Sequence, residues 1–295
     1  MSKLPTQFTV GALSEYQDIV FDIFNQWKSE NGDGNKPFLW FRGQSTSKPL
    51  LPVVLREFIN PNTGNVCHYK EYQIFISFSS LYKNYTSERF EEKSSEFYSF
   101  MQHYGIPTRL LDWTENAAFA LYFAVSHGTH DADTERVVWV MNPGAINELT
   151  TNNVSNAPLI SDVPLVQARM KMVGYIKDEE LLEQFWGKEP DFKDLRKEHF
   201  RFPLAFYPVS SGNIRIATQK GCFTIHGTDR RPIESFFENS KIQKYLIKVN
   251  ISKKSVATIR EQLKIMGVTP RSVYPDILGF ATELSGAEYM QSKGK

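Results

Sequence analysis

The order of segments along this chain predicts an α+β fold: a mixed sheet with packed helices, in one domain with an inserted segment. Three observations carry that expectation. Apolar runs of strand length fall at 38–43, 136–141 and 245–251. Segments with three- and four-residue apolar spacing fall between them without regular alternation, which argues against a repeated β-α wrap. No internal repeat or heptad series appears.

Each element has a local cause. Leu13, Tyr16, Val20, Ile23, Phe24 and Trp27 recur at helical spacing, with Ser14 and Gln17 placed as a capping box and Asn31-Gly32-Asp33-Gly34 as the stop. Phe38-Leu39-Trp40-Phe41-Arg42-Gly43 has the continuous apolar, aromatic character of a buried strand with Arg42 at its end, and 44–49 is a polar loop. Helices are expected over 69–85 and 94–103. Gly105 is placed to end the second in a left-handed conformation, and Pro107 prevents its continuation. Thr114 is the expected N-cap of a helix reaching Val125, apolar nearly all round and therefore central. Arg136-Val137-Val138-Trp139-Val140-Met141 is a strand stopped by Asn142-Pro143-Gly144.

Beyond it, 147–199 shifts to Asn, Ser, Lys, Glu and Asp. It is expected to be an insertion or partly mobile excursion with a helix at 178–187. Strands follow at 204–208, 222–226 and 245–251, with 213–219 open between helix and strand. A helix at 255–266 is closed by Gly267, and a last apolar segment ends at Leu284.

The totals exclude several classes. At 295 residues the chain can bury a full core, and we expect a single domain over 1–295. Lys plus Arg (34) nearly balances Asp plus Glu (33), so no whole-molecule field recruits nucleic acid or an anionic membrane. Cys67 and Cys222 lack the spacing of a disulfide framework or cysteine zinc site, which fits a reducing cytosol. The start has no apolar signal core and the run 117–125 is too short to span a bilayer, so a cytoplasmic protein is expected. The spacing His127-x-x-His130-Asp131-x-Asp133 lies in a solvated turn that no third element joins, and no metal site is expected.

The segment Gln102-His103-Tyr104-Gly105-Ile106-Pro107-Thr108-Arg109-Leu110-Leu111-Asp112-Trp113-Thr114 concentrates hydrogen-bonding side chains in a conformationally fixed loop ahead of a buried helix. Arg42 and Arg109 offer planar forks of donors suited to a diphosphate, or equally to buried ion pairs. Asp112 can orient an arginine, accept a ligand hydroxyl, or bond backbone amides at the helix start. His103 is an acid or base near neutral pH, or a hydrogen-bonded structural residue. Tyr104 and Trp113 can stack on a flat ring or pack in the core. Gln102 and Gln219 can bond ligand hydroxyls or buried backbone. Gln44 and Thr108 complete the ligand-binding set.

Phe41-Arg42-Gly43, the 102–114 segment and Ala120-Leu121-Tyr122-Phe123-Ala124 resemble the FRG domain family, named for the Phe-Arg-Gly triplet. Gln219-Lys220-Gly221-Cys222-Phe223-Thr224 and the region from Leu263 through Val273-Tyr274-Pro275-Asp276 to Gly279 resemble it too. The family is widespread in bacteria and their phages, and the resemblance brings no reaction with it.

A more distant resemblance is to ADP-ribosyltransferases of the arginine-serine-glutamate type. Phe41-Arg42-Gly43 is similar to their first motif, 108–114 stands in the place of the second, where Asp112 and Trp113 interrupt it, and Gln219 stands where the third supplies a glutamate. Glutamine can bond a ribose hydroxyl but cannot act as a carboxylate.

This resemblance implies NAD as a substrate, with no prosthetic group. Arg42 and Arg109 would bind phosphate, Tyr104 or Trp113 would stack, Asp112 or Gln219 would hold ribose, and Asp112, His103 and Gln219 form the candidate catalytic set. The alternative is a non-catalytic module that binds nucleic acid or a protein partner through the same cleft, in a phage-defence or toxin setting.

Overall fold

The computed structural model describes residues 4–30, 36–126, 135–151, 158–161, 163–172, 195, 197–208, 213–238 and 241–285. The expected helix stop at 31–34, the histidine and aspartate spacing at 127–133 and the expected helix at 178–187 lie outside the described residues.

In chain order the elements are β1 (Gln7–Val10), α1 (Leu13–Glu30), β2 (Trp40–Gln44), β3 (Phe58–Ile59), β4 (Val66–Cys67), α2 (Glu71–Leu81), α3 (Ser95–His103), β5 (Leu110–Thr114) and α4 (Ala117–Ser126). Then come β6 (Arg136–Met141), α5 (Pro143–Thr151), β7 (Leu159–Ile160), α6 (Pro164–Met172), β8 (Leu204–Tyr207), α7 (Ile214–Thr218) and β9 (Gly221–Ile225). The chain closes with α8 (Glu234–Phe237), β10 (Leu246–Ile251), α9 (Val256–Ile265), α10 (Pro270–Val273) and α11 (Ile277–Leu284). Eight strands form one sheet in the order β1-β10-β6-β2-β5-β9-β8-β7, and β3 and β4 form a separate hairpin. The outer pairs β1/β10 and β7/β8 are parallel and the pairs between them antiparallel, so the mixed sheet of an α+β fold is present.

Register separates the two faces, because alternate residues of a strand point to opposite sides. Phe41, Val138, Val140, Ile247, Val249 and Ile251 meet α1, α4 and α9 in one cluster. On the same face farther along the sheet, Leu110, Phe223, Ile225, Leu204 and Phe206 meet α2, α3 and α6 in a second. Trp40, Leu111, Trp113, Met141, Cys222 and Leu246 point to the other face, against α5 and α8. The first face therefore carries two groups of helices, one over β2 and its neighbours and one over β9 and β8.

Several local expectations change. The stretch 110–114 forms β5, because Leu110, Asp112 and Thr114 alternate with Leu111 and Trp113 across the pleat. The N-cap of α4 is Asn116, whose Oδ1 accepts from Ala118 N and Phe119 N. Thr114 instead accepts from Asn116 N and donates to Gln219 O. At α1, Ser14 already lies inside the helix, and Glu15 accepts the Gly11 N–H at 2.6 Å in place of the expected capping box. Arg42 and Gln44 lie within β2 rather than at its end and in a loop. Gly105 adopts φ 74° and ends α3 as expected. Residues 213–219 resolve as the short helix α7, capped by Asn213. Of 147–199, the described parts contribute Asn147, Thr150, Leu165, Val166 and Met170 to the interior.

Candidate functional site

Phe41 and Thr114 form the only β2–β5 register pair among the described residues. Beyond it the two strands part, and the Phe-Arg-Gly triplet is built around that fork. Phe41 is buried under α4. Arg42 spans the gap, its Nη1 donating to the Asp112 backbone carbonyl at 2.6 Å. A Cβ on Gly43 would lie 1.8 Å from Ala120 O, so only glycine lets the α4 backbone rest on β2. Each residue of the triplet therefore has a mechanical reason at this position.

The gap opens into a cleft of about 540 Å³ whose walls include β2, α3, β5 and α7. Asp112 stands in it with its side chain 54% exposed, its Oδ2 3.8 Å from Arg42 Nη1. Its position is set by a chain of hydrogen bonds. Leu110 N donates to Thr108 Oγ1, Thr108 Oγ1 donates to Gln102 Oε1 at 2.5 Å, and Gln102 Nε2 donates to Asp112 Oδ2 at 3.0 Å. The Thr108 proton fixes which end of the Gln102 amide faces the carboxylate.

Cations share the cleft with that acid. Arg42, Lys48, Arg56 and Arg215 line the cleft, with His103 beside them, and Asp112 is the one carboxylate among the lining residues. Burial holds the Arg42 guanidinium below the ordinary arginine value, opposed by the nearby Asp112 charge and reinforced by Arg56. Its Nε is buried with no hydrogen-bond partner. His103 is also held below its usual value, first by burial and then by Arg215, which favours its neutral form near pH 7. Such a cleft attracts anions, and its low-dielectric walls strengthen the attraction.

Of the candidate residues, Arg42, Gln44, Gln102, His103, Asp112, Trp113 and Gln219 line this cleft. Gln44 Oε1 accepts from Trp139 Nε1, and Gln219 Nε2 donates to Val273 O, so each amide is oriented by a protein partner. Thr108 lies behind the wall and acts through Gln102.

Three expectations are corrected. Arg109 is 3% exposed and faces away, with Nε bonded to both Glu71 carboxylate oxygens at 2.8 Å and Nη1 to Gly227 O at 2.6 Å. It forms no clamp with Arg42. The Trp113 side chain is 3% exposed and lies in the core cluster of the opposite face, its Nε1 donating to Thr224 Oγ1, so its ring cannot stack on a cleft ligand. Tyr104, 61% exposed, lines a separate apolar groove with Phe78, Tyr85 and Phe100.

Lys48, Arg56, Arg215 and Tyr274 were not singled out as site residues from sequence. They come from segments with no shared spacing, and only their common lining of the cleft reveals them. Among the described residues no group of three or more His, Cys, Asp or Glu side chains is arranged to hold a metal ion, and no helix is long and apolar enough to cross a membrane.

No curated protein and no solved structure matches the chain. Residues 38–133, which run from β2 past the end of α4 and supply Arg42, Gly43, Gln102 and Asp112, match the family model of the FRG domain.

Proposed function

We propose that the cleft binds an NAD-like dinucleotide and acts at the nicotinamide ribose, by ADP-ribosyl transfer or NAD hydrolysis. The observation that carries this reading is a single oriented carboxylate, Asp112, in an otherwise cationic cleft. A pyrophosphate needs the cations, and a sugar carbon that becomes cationic as its bond breaks needs the carboxylate.

In the reaction the bond from ribose C1′ to the pyridinium nitrogen breaks, and its electron pair neutralises nicotinamide. The developing positive charge on the sugar is stabilised by Asp112. Water or an acceptor nucleophile then supplies the electron pair that closes C1′ and releases its proton to Asp112 or solvent. Arg42 and its cationic neighbours hold phosphate, and Gln219 bonds a ribose hydroxyl. The convergence of Arg42, Asp112 and Gln219 from β2, β5 and the turn before β9, which are adjacent strands, supports the likeness to ADP-ribosyltransferases.

The test is incubation of the purified protein with NAD, reading nicotinamide release and thermal shift. Asp112→Asn should retain the shift and lose release, whereas Arg42→Ala should lose both. Absence of any shift with NAD or ADP-ribose on folded protein would overturn the reading. A shift without release in the wild type would instead favour a non-catalytic binding module.

A further inference from the structure

The cleft's cations fall into two groups with different surroundings. The Arg56 charge acts on Arg42, and Lys48 lies on the loop between them. Arg215 acts on His103 and Tyr274. Its guanidinium carbon lies 4.3 Å from the centre of the Tyr274 ring, and that ring packs in turn against Phe123 at 6.0 Å. Phe123, Tyr274 and Arg215 all line the cleft.

An arginine stacked on an aromatic ring has a different use from a free one. Its guanidinium is held over a flat support, so its outer side offers a surface on which a base can stack, while its edge retains donors. Lys48 has the opposite character: an exposed point charge on a flexible stem, suited to phosphate and indifferent to ring shape.

We infer that the cleft takes nucleotides in one orientation, with the flat ring on the Arg215–Tyr274 stack and the phosphates against Arg42, Lys48 and Arg56. This deepens the functional reading above by assigning the two ends of the ligand, and it rests on that reading only for the identity of the dinucleotide. The substrate class it specifies is a ring-bearing di- or polyphosphate. A phosphate ester without a ring occupies only the first group of cations.

Calorimetry with inorganic pyrophosphate, ADP and NAD tests the assignment on wild type, Lys48→Ala and Arg215→Lys. The last variant keeps charge and removes the plane. Lys48→Ala should weaken pyrophosphate and ADP by the same factor. Arg215→Lys should leave pyrophosphate within about two-fold and weaken ADP roughly ten-fold or more, the range of one lost base stack.

Equal weakening of both ligands by Arg215→Lys, or none of either, overturns the orientation. So does wild-type protein that binds neither ligand. Should ADP follow the expected pattern while NAD neither binds nor releases nicotinamide, the orientation stands and the dinucleotide reading fails. An NAD-cleaving enzyme unaffected by Arg215→Lys would show the reverse.

Discussion

Arg42 Nη1 donates to the Asp112 backbone carbonyl at 2.6 Å, across the place where β2 and β5 cease to pair. A side chain thus stands where a ladder hydrogen bond would be. A charge-assisted bond of this kind contributes about 1.5–3 kcal/mol, so Arg42→Ala should lower stability by that order in urea denaturation. Amide exchange in β5 should quicken in the same variant. Unchanged exchange at 111–114 would mean that the arginine serves the ligand alone.

Gly43 gives a sharper prediction, since its neighbour is backbone and cannot rotate away. Gly43→Ala places a methyl against Ala120 O and should destabilise by about 1–3 kcal/mol or more, as overpacked cores do. Thermal unfolding checks it. A variant as stable as wild type would show that α4 can lift from β2 at little cost.

Thr108 lies outside the cleft yet orients the Gln102 amide that holds Asp112. Thr108→Val keeps shape and loses that donor, so a loss of about 1–2 kcal/mol is expected in urea denaturation. Where the NAD assay reads turnover, KM should change little and kcat should fall, because the carboxylate is misplaced while the phosphate cations are untouched. Thr108→Ser should restore both.

Arg109 should behave in the opposite way. Its charge is matched by Glu71 in the interior, and removing one partner of such a pair costs about 3–5 kcal/mol. Arg109→Met should therefore be strongly destabilising in urea denaturation. Any fraction that remains folded should bind ADP with wild-type affinity in calorimetry. Weakened binding would return Arg109 to the ligand site.

The legibility of this chain follows from the range of the interactions involved. Helices α1 and α3 and strands β6 and β10 were legible because their spacing or apolar runs are local, and Gly105 because a helix end needs a residue tolerant of positive φ. Strand β5 was hidden inside a motif dense in polar groups, where Asp112 and Thr114 are a strand's outward residues facing a cleft. Arg42 and Arg109 look alike in sequence. What separates them is Glu71, which meets Arg109 from 38 positions away, and the fork in the sheet, which leaves Arg42 open. Arg215 and Tyr274 meet only after the sheet and its helices have closed.

His226, just past the end of β9, supplies a pH dependence independent of the cleft. It is fully buried, and neither ring nitrogen has a hydrogen-bond partner. Burial, with the charges of Arg109 and Arg169, pulls it down from 6.5 to about 3. As pH falls below about 6.5 the unfolded chain takes up this proton and the folded chain does not, so stability is fully present above that pH and declines towards pH 3. The slope from this one group approaches about 1.4 kcal/mol per pH unit. His226→Leu removes the titrating group at similar volume, so its stability should fall less steeply than wild type between pH 6.5 and pH 5 in urea denaturation. Parallel curves for the two proteins would show that His226 is protonated in the folded state, and hence that an anion or water reaches it.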